Sequence, residues 1–288
     1  MTQLAKVWAR CPLLLKAVLS AFLVGLAGSL PWAVLAALNT RVGTLFPWSV
    51  PVMAGYLWFY WQYLQGRGWP QSTAETRHRN LRAGRISGRV WGWSLLAGSL
   101  ALVSLTAFNS LAQRLVPVAQ APFPDLSHYS VLTILAFILM GAAVAGISEE
   151  AAFRGYLQAP LERRYGPLVA ILLVGLLFGF WHFDHAGVSI IDLPYYLAVS
   201  AIYGILAHLT DSILPALVLH ACGNALLDLL AWWRGPAPAL LPVWQSGIDL
   251  SFALNLAAAL LVGFAAILVY KKLAQVTRVD GRPLGGGA

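Results

Sequence analysis

Two adjacent glutamates, Glu149 and Glu150, end a long apolar run in the stretch "AVAGISEEAAFRGYL", and Arg154 follows one helical turn later. Residues four apart on a helix are neighbours, so Arg154 can neutralise Glu150. Glu149 would lie about 140° around the same helix from Arg154, without a local partner. One carboxylate is therefore predicted to be structural and the other to be available for chemistry. The alternative is that all three side chains form a solvated cytoplasmic helix end.

His182 is a candidate partner for Glu149. The midpoint between the two residues falls at Tyr165–Gly166, and the Gly-Pro pair there is a turn signal. If the chain folds back at that point, Glu149 and His182 stand level on antiparallel helices. Shielded from bulk water, Glu149 could then activate a water molecule as general base, and His182 could share that task or protonate the departing amine. Otherwise His182 is an interfacial side chain near a helix end.

A polar stripe runs along a later apolar segment, "LPALVLHACGNALLDLL", where His220, Asn224 and Asp228 recur every four residues. His220 and Asn224 could donate N–H groups to the oxyanion that forms when water attacks a peptide carbonyl. The stripe could instead hold helices together through hydrogen bonds. Cys222 points away from His220, which argues against a Cys–His nucleophile, and we interpret it as a packing residue.

The same side chains also permit a metal ion. Glu149, His182 and His220 match the shell of a catalytic zinc with an open water position. The His-Glu-x-x-His motif is absent, however, and the three ligands would come from three separate helices. Because Asn224 is a poor zinc ligand but a good oxyanion donor, we expect catalysis without a cofactor, with zinc as the alternative.

The elements that carry these residues are predicted to lie in a membrane. Of the 288 residues 59% are hydrophobic and 10% are charged, whereas soluble domains carry about 25% charged residues. Eight apolar segments approach the roughly 17–25 residues of a spanning helix: 13–38, 46–65, 90–113, 130–150, 166–183, 188–208, 212–232 and 250–270. The fourth is predicted to continue as an amphipathic helix to about Arg164. The fold class is therefore all-α: a polytopic membrane protein of about eight transmembrane helices enclosing an intramembrane polar cavity.

We expect one transmembrane domain over residues 1–288, with a catalytic core at about 130–232, a polar cytoplasmic loop at 66–89 and a disordered tail at about 278–288. Most of the 19 Lys and Arg residues fall on one side of the predicted membrane. The positive-inside rule then makes both termini cytoplasmic, and we expect a bacterial inner membrane. Four further polar residues are interpreted as loop or interface residues: Asp184, His185, His208 and Asp211.

Three motifs together resemble those of one peptidase family. "EEAAFR" at 149–154 resembles its Glu-Glu-x-x-x-Arg motif, "FGFWH" at 178–182 its Phe-x-x-x-His, and "HACGN" at 220–224 its His-x-x-x-Asn. This ordered trio is similar to the CAAX-protease and bacteriocin-processing (CPBP) intramembrane peptidases, which include Ras-converting prenyl-protein endopeptidases. The resemblance implies Glu149 and His182 as the water-activating pair, His220 and Asn224 as oxyanion donors, and Glu150 and Arg154 as supporting residues. It also implies an eight-helix core.

The sequence thus predicts an intramembrane endopeptidase that cleaves a membrane-associated protein or peptide in CAAX-type processing. Its partners would be that substrate and the lipid bilayer. Nucleic acid is excluded, because the cations lie in short connections and form no basic groove interleaved with aromatic residues. The rival hypothesis is a non-catalytic multipass protein, either a scaffold or regulator, or an ion- or proton-coupled transporter. The absence of visible repeats weakens its transporter version.

Overall fold

The computed structural model describes residues 10–42, 45–116, 126–183, 190–235 and 240–279. Within these ranges the chain is all-α, as predicted, and has no β-strand beyond an isolated bridge between Ala83 and Ser212. The helices are α1 (Leu13–Val42), α2 (Ser49–Leu64), α3 (Ala74–Leu81), α4 (Gly88–Leu115), α5 (Val131–Tyr165), α6 (Pro167–Trp181), α7 (Leu193–Thr210), α8 (Leu214–Arg234), α9 (Val243–Ser246) and α10 (Leu250–Val279).

Six of these helices are long and apolar enough to cross a membrane, namely α1, α4, α5, α7 with the 3-10 turn before it, α8 and α10. Each coincides with a predicted span. The other two predicted spans are the helices α2, with 16 residues, and α6, with 15. Both fall short of the roughly 17 residues that a span requires. The polytopic membrane fold is therefore confirmed, and the count of eight spans is not.

Apolar side chains on the outer faces fit a hydrocarbon solvent. On α10, for example, Leu260, Leu261 and Phe264 are all exposed, and no soluble protein of ordinary composition presents such a continuous surface. Inside, two clusters of buried apolar residues form the core. One joins α1, α2, α5 and α6, and the other joins α4, α7, α8 and α10. The polar residues of interest lie between the two clusters.

A glycine brings α8 against α5. A Cβ atom on Gly146 would lie 2.9 Å from the Cβ of Ala221 and 3.0 Å from the carbonyl oxygen of Leu217. These distances leave no room for a side chain, so the two helix backbones meet where only glycine fits. Small residues at such contacts are typical of helix packing in membranes. The close approach places His220 next to the two glutamates, which follow Gly146 by one turn.

The predicted polar loop at 66–89 is ordered and contains helix α3. Arg77 on α3 is buried and donates hydrogen bonds to the carbonyls of Tyr63, Pro70 and Gly68. Arg82 follows α3 with φ of 54°, in the left-handed region. Its side chain forms ion pairs of 2.7 Å with both Glu162 and Asp211. The cation-rich segment 66–89 therefore contacts the end of α5 and the turn between α7 and α8, at one end of the helix bundle.

At the opposite end, Arg114 ties α4 to the segment before α10. Its guanidinium contacts a carboxylate oxygen of Asp249 at 2.7 Å and also bonds Ser246 and the carbonyl of Gly247. The hydrogen bond from Arg114 lowers the pKa of the exposed Asp249 carboxyl. The pair consequently stabilises the fold above the ordinary carboxyl pKa, and that contribution is lost as the pH falls through the lowered value.

The predictions for the C-terminal tail and for the loop residues can be compared with the structure only in part, because some of these residues lie outside the described ranges. Helix α10 continues to Val279, so the first two residues of the predicted disordered tail are helical. The remainder of that tail lies outside the described residues, as do Asp184 and His185. Asp211 lies in the turn after α7, as interpreted, whereas His208 lies within the last turn of α7 and its side chain is mostly buried against Glu162.

Candidate active site

The two glutamates mark a change of helix type within α5. The chain is α-helical to Glu149, π-helical over Glu150–Gln158 and α-helical again from Ala159. Wide turns of this kind are rare and concentrate at functional sites. All nine residues of the π segment are buried. The predicted continuation of the helix beyond residue 150 is thus correct, and protein surrounds it over Glu150–Gln158.

Glu149 and His182 stand side by side. Helix α5 ends at Tyr165, Gly166 forms the turn with φ of 79°, and α6 returns antiparallel to end at Trp181. A carboxylate oxygen of Glu149, Oε2, lies 3.9 Å from Nε2 of His182 and 3.9 Å from Nε2 of His220. The predicted level placement across the hairpin is therefore confirmed.

That oxygen is buried and accepts no hydrogen bond from the described residues. Buried carboxylate oxygens are rarely left without a partner, because desolvation without a hydrogen bond costs several kcal/mol. A separation of 3.9 Å is too long for a direct hydrogen bond. It suits one atom placed between the carboxylate and each imidazole, and a water molecule has that size and can bond several polar groups.

Glu150 has a different environment, although it is the next residue. Its Oε1 lies 2.8 Å from Nδ1 of His220 and 3.1 Å from the guanidinium of Arg154. Arg154 and Glu150 are fully buried, and Arg154 also donates hydrogen bonds to the carbonyl and the hydroxyl of Ser200. The predicted pairing of Arg154 with Glu150 is confirmed.

Hydrogen bonds select the ring nitrogens that face Glu149. Nδ1 of His182 donates to the carbonyl oxygen of Phe178 at 2.8 Å, since a carbonyl can only accept. Nδ1 of His220 donates likewise to the Glu150 carboxylate, which is also paired with Arg154. When such a ring is neutral, its Nε2 is the nitrogen with the lone pair. The two rings present the same nitrogen to the same carboxylate oxygen.

Helix α7 supports both imidazoles, although no motif in the sequence pointed to it. Tyr196 stacks on His182 with ring centroids 4.3 Å apart, and Tyr203 stacks on His220 at 5.2 Å. Ser200, which binds Arg154, lies between them at a spacing of four and three residues. These positions share one helix face. The sequence pattern that could have indicated this role is the spacing of Tyr196, Ser200 and Tyr203, which places three polar side chains on one face of a mostly apolar helix.

A second missed pattern is a polar residue at every fourth position of α5, starting from Glu150 and continuing with Arg154, Gln158 and Glu162. The last three meet α7 at regular intervals. Arg154 binds Ser200, Gln158 donates to the carbonyl of Gly204 at 2.8 Å, and Glu162 lies 3.5 Å from His208. Each pair is separated by 46 residues, so the two helices run in the same direction in constant register.

The rest of the α8 stripe leads away from the site. Asn224 lies one turn after His220 and is half-buried, and no hydrogen bond within the described ranges uses its amide. Asp228 is exposed, so the stripe passes from a buried to an exposed position along α8. Cys222 is exposed as well, which corrects its interpretation as a packing residue.

One comparison with known proteins identifies the segment that carries these residues. Residues 131–226 match the family model of the type II CAAX prenyl endopeptidases described as Rce1-like. This segment is similar to the Rce1-like peptidases. This region spans α5 to α8 and includes Glu149, His182, His220 and Asn224, and the match confirms the CPBP-type resemblance. No curated protein and no solved structure matches the chain.

The Rce1-like match covers about a third of the chain and indicates an intramembrane protease with a peptide or protein substrate. Together with the apolar helices, it identifies an integral membrane protein. Helices α1 and α10 lie outside the matched residues, yet α1 packs on the π segment of α5 and α10 packs along α4. The Rce1-like region is thus enclosed by helices from both ends of the chain.

The donor set around Glu149 can be compared with the requirements of zinc. Two imidazole Nε2 atoms and one carboxylate oxygen are the ligand types of a catalytic site, and each ring has its Nδ1–H bound to an acceptor, as metal-binding histidines do. Among the described residues, however, no group of three or more such side chains converges closely enough to hold a metal ion. The chemistry of the donors fits zinc, and their spacing is wider than zinc coordination.

Proposed function

We propose that this protein is an intramembrane endopeptidase in which Glu149 and the two histidines activate water to hydrolyse a peptide bond. The observation that carries the proposal is the buried Oε2 of Glu149, which lacks a hydrogen bond and is flanked at 3.9 Å by Nε2 of His182 and of His220. A water held there donates one hydrogen bond to the carboxylate and one to an imidazole. Its lone pair is then directed at an incoming carbonyl.

The reaction proceeds by general base catalysis. The water oxygen bonds to the carbonyl carbon while Glu149 takes the water proton, and the carbonyl oxygen becomes an oxyanion. The C–N bond then breaks, and the departing nitrogen receives the proton that Glu149 took from water, either directly or through Nε2 of His182. The products are a carboxyl group and an amine. Asn224, with a half-buried amide that no described residue binds, is placed by this scheme as an oxyanion donor.

His220 has a narrower role than the sequence implied. Its Nδ1–H is held by Glu150, so Nε2 can donate to an oxyanion only when the ring is an imidazolium. The Glu150 carboxylate stabilises that charge. We therefore assign His220 to accept a hydrogen bond from water in the resting state and to donate one after a proton has arrived.

The first test is a pair of substitutions at the water-activating residues. Glu149→Gln and His182→Ala should each lower kcat by about 10²–10⁴-fold, the range that general acid–base groups contribute. The measurement is cleavage of a membrane peptide by purified protein in vesicles, followed by mass spectrometry. Asp228→Asn is the matched control, since it removes an exposed carboxylate from α8 without touching the site.

Full turnover in both variants would refute the assignment. If the wild type cleaves no peptide but moves protons across the vesicle membrane, the non-catalytic alternative is supported instead.

Zinc catalysis is the second candidate, and the pair of Nε2 lone pairs facing one carboxylate favours it. Glu149, His182 and His220 would hold the ion, which would supply a more acidic water. Metal analysis of the purified protein separates the two versions. Stoichiometric zinc that is lost in His220→Ala supports the metal version. Full activity after chelation, with no bound metal, supports the metal-free version.

An apolar cavity of about 240 Å³ beside the site supports a lipid-bearing substrate. It lies between α1 and the α5–α6 hairpin, and Trp181, the neighbour of His182, forms one wall. A Cβ on Gly25 would point toward Trp181 at 3.5 Å, so Gly25→Leu would fill this space. We expect Gly25→Leu to raise KM for a prenylated peptide and to leave kcat largely unchanged. The control is Gly92→Leu, which meets no atom within 4 Å.

An equal KM in the two glycine variants, or equal use of prenylated and unmodified peptides by the wild type, would contradict a lipid subsite there.

A further inference from the structure

A second cavity lies at the cation-rich end of the bundle, away from the catalytic residues. Its volume of about 540 Å³ is within the range of roughly 300–1,000 Å³ that is usual for small-molecule sites. It is formed by α3 and the segment after it, the last turns of α5, the first turn of α6 and the turn between α7 and α8. None of Glu149, His182, His220 and Asn224 lines it.

Basic side chains outnumber acidic ones in this cavity. The bases are His78, Arg79, Arg82, Arg163 and His208, and the acids are Glu162 and Asp211. Arg82 already binds both carboxylates at 2.7 Å, and Gln158 donates a further hydrogen bond to Glu162. The two acids are therefore occupied by groups of the fold itself.

Arg79 and Arg163 are left without a carboxylate. In the described part of the chain neither forms an ion pair, and the hydrogen bond of Arg163 goes to the neutral amide oxygen of Asn80 at 3.0 Å. Arg79 and Arg82 both repel Arg163, whereas Asp211 and Glu162 attract it without forming an ion pair with it. Like charges that converge on one cavity from α3 and α5 favour a bound anion, which would offset this repulsion.

The N-terminal end of α6 adds positive charge to the same cavity. Helix α6 begins at Pro167, and the cavity is lined by Gly166 and Pro167 at that end. The start of a helix carries a partial positive charge, which suits an anion. The N–H of Gly166 is bound to the carbonyl of Glu162 and Pro167 has none, so this end contributes through its charge. Guanidinium groups bind phosphate oxygens in a two-pronged geometry that fixes the orientation of the ligand.

We propose that this cavity is a binding site for a phosphate-bearing anion, held by Arg79 and Arg163 at the end of α6. A lipid headgroup and a soluble phosphate share this chemistry. The lipid source fits the location, because the cavity lies where apolar helices end and where the predicted orientation places the cytoplasmic leaflet. Basic pockets between helices on that side receive anionic headgroups.

The experiment uses the full-length protein in detergent with two probes, phosphatidylglycerol and inorganic phosphate. Native mass spectrometry measures retained lipid, with phosphatidylcholine as the zwitterionic reference, and calorimetry measures phosphate binding. The test variant is Arg79→Gln/Arg163→Gln. Both arginines are exposed, so the fold should survive. The control is Arg89→Gln/Arg164→Gln, which removes two exposed cations of the same face that do not line the cavity.

We expect phosphatidylglycerol to bind in preference to phosphatidylcholine, and the Arg79/Arg163 variant to weaken this binding about tenfold or more, since each basic residue near an anionic headgroup contributes roughly fivefold. The control should retain it. Phosphate binding that the same variant abolishes, without preference for the anionic lipid, identifies a soluble ligand. Equal binding of both lipids and no phosphate binding would overturn the proposal, as would equal losses in the two double variants.

Discussion

At the scale of single residues, neighbouring glutamates acquire opposite roles from their partners. Glu150 is fully buried and bound by Arg154 and His220, whereas Glu149 has an oxygen without a hydrogen bond that faces two imidazoles. The π-helical turn begins between them. One residue step along α5 thus separates a carboxylate that is held in an ion pair from one whose oxygen faces two imidazoles.

Removal of the Glu150 charge should destabilise the protein. Glu150→Gln leaves the Arg154 guanidinium buried without its counter-ion, and breaking a buried pair in this way costs about 3–5 kcal/mol. The measurement is thermal unfolding in detergent. The matched control is Glu75→Gln on the exposed face of α3, where a change within about 0.5 kcal/mol is expected.

The double variant Glu150→Gln/Arg154→Met separates stability from positioning. It removes both charges and should recover much of the lost stability, because replacing a buried ion pair by apolar groups is often close to neutral. Its kcat should remain low, since His220 has lost the carboxylate that orders its ring. A double variant with normal kcat would show that Glu150 serves stability alone.

At the scale of elements, α7 is the helix on which the site depends without contributing to any motif. Tyr196 and Tyr203 each stack on one histidine. Tyr196→Phe keeps the stacking and should retain activity, whereas Tyr196→Leu should lower kcat with little effect on KM and shift the pH–rate profile, because a loosened imidazole changes its proton affinity. Tyr195→Leu, next to it on α7, is the control.

A purely structural role for Tyr196 would instead lower the yield of folded protein and leave both the kcat of the folded fraction and its pH profile unchanged.

The sequence predicted the elements better than their register. The hairpin between Glu149 and His182 followed from a local signal, Gly166-Pro167 at the midpoint, and the pairing of Glu150 with Arg154 followed from helix geometry. The constant spacing of 46 residues between α5 and α7 did not follow, since it depends on how two distant helices slide against each other. The same is true of the wide turn at Glu150, which tertiary packing imposes.

At the scale of the whole molecule, the polar groups form two sites joined by one helix. The catalytic candidates lie midway along α5, and the cation-lined cavity lies at its end, with Gln158 and Glu162 between them. Helix α5 belongs to the core cluster that it shares with α1, α2 and α6. The Rce1-like match leaves out α1, which packs on the π segment that begins directly after Glu149.

The short helix α6 has a consequence for the surrounding lipid. Its 15 residues span about 22 Å, whereas the hydrocarbon of a typical bilayer is about 30 Å thick. If the turn at Gly166 lies at one membrane surface, we expect the other end of α6, which His182 follows, to lie within the acyl-chain region. A helix shorter than the hydrocarbon thickness is accommodated by local thinning of the bilayer.

Turnover should consequently rise when the protein is reconstituted in lipids with shorter acyl chains and fall in longer ones, since chain length governs how far solvent penetrates to the imidazole. Rates in vesicles of graded chain length, at equal protein insertion, measure this dependence. A flat response would mean that protein rather than lipid surrounds the end of α6. Membrane thickness would then have no bearing on catalysis. A graded response would mean that the thickness of the host membrane regulates turnover.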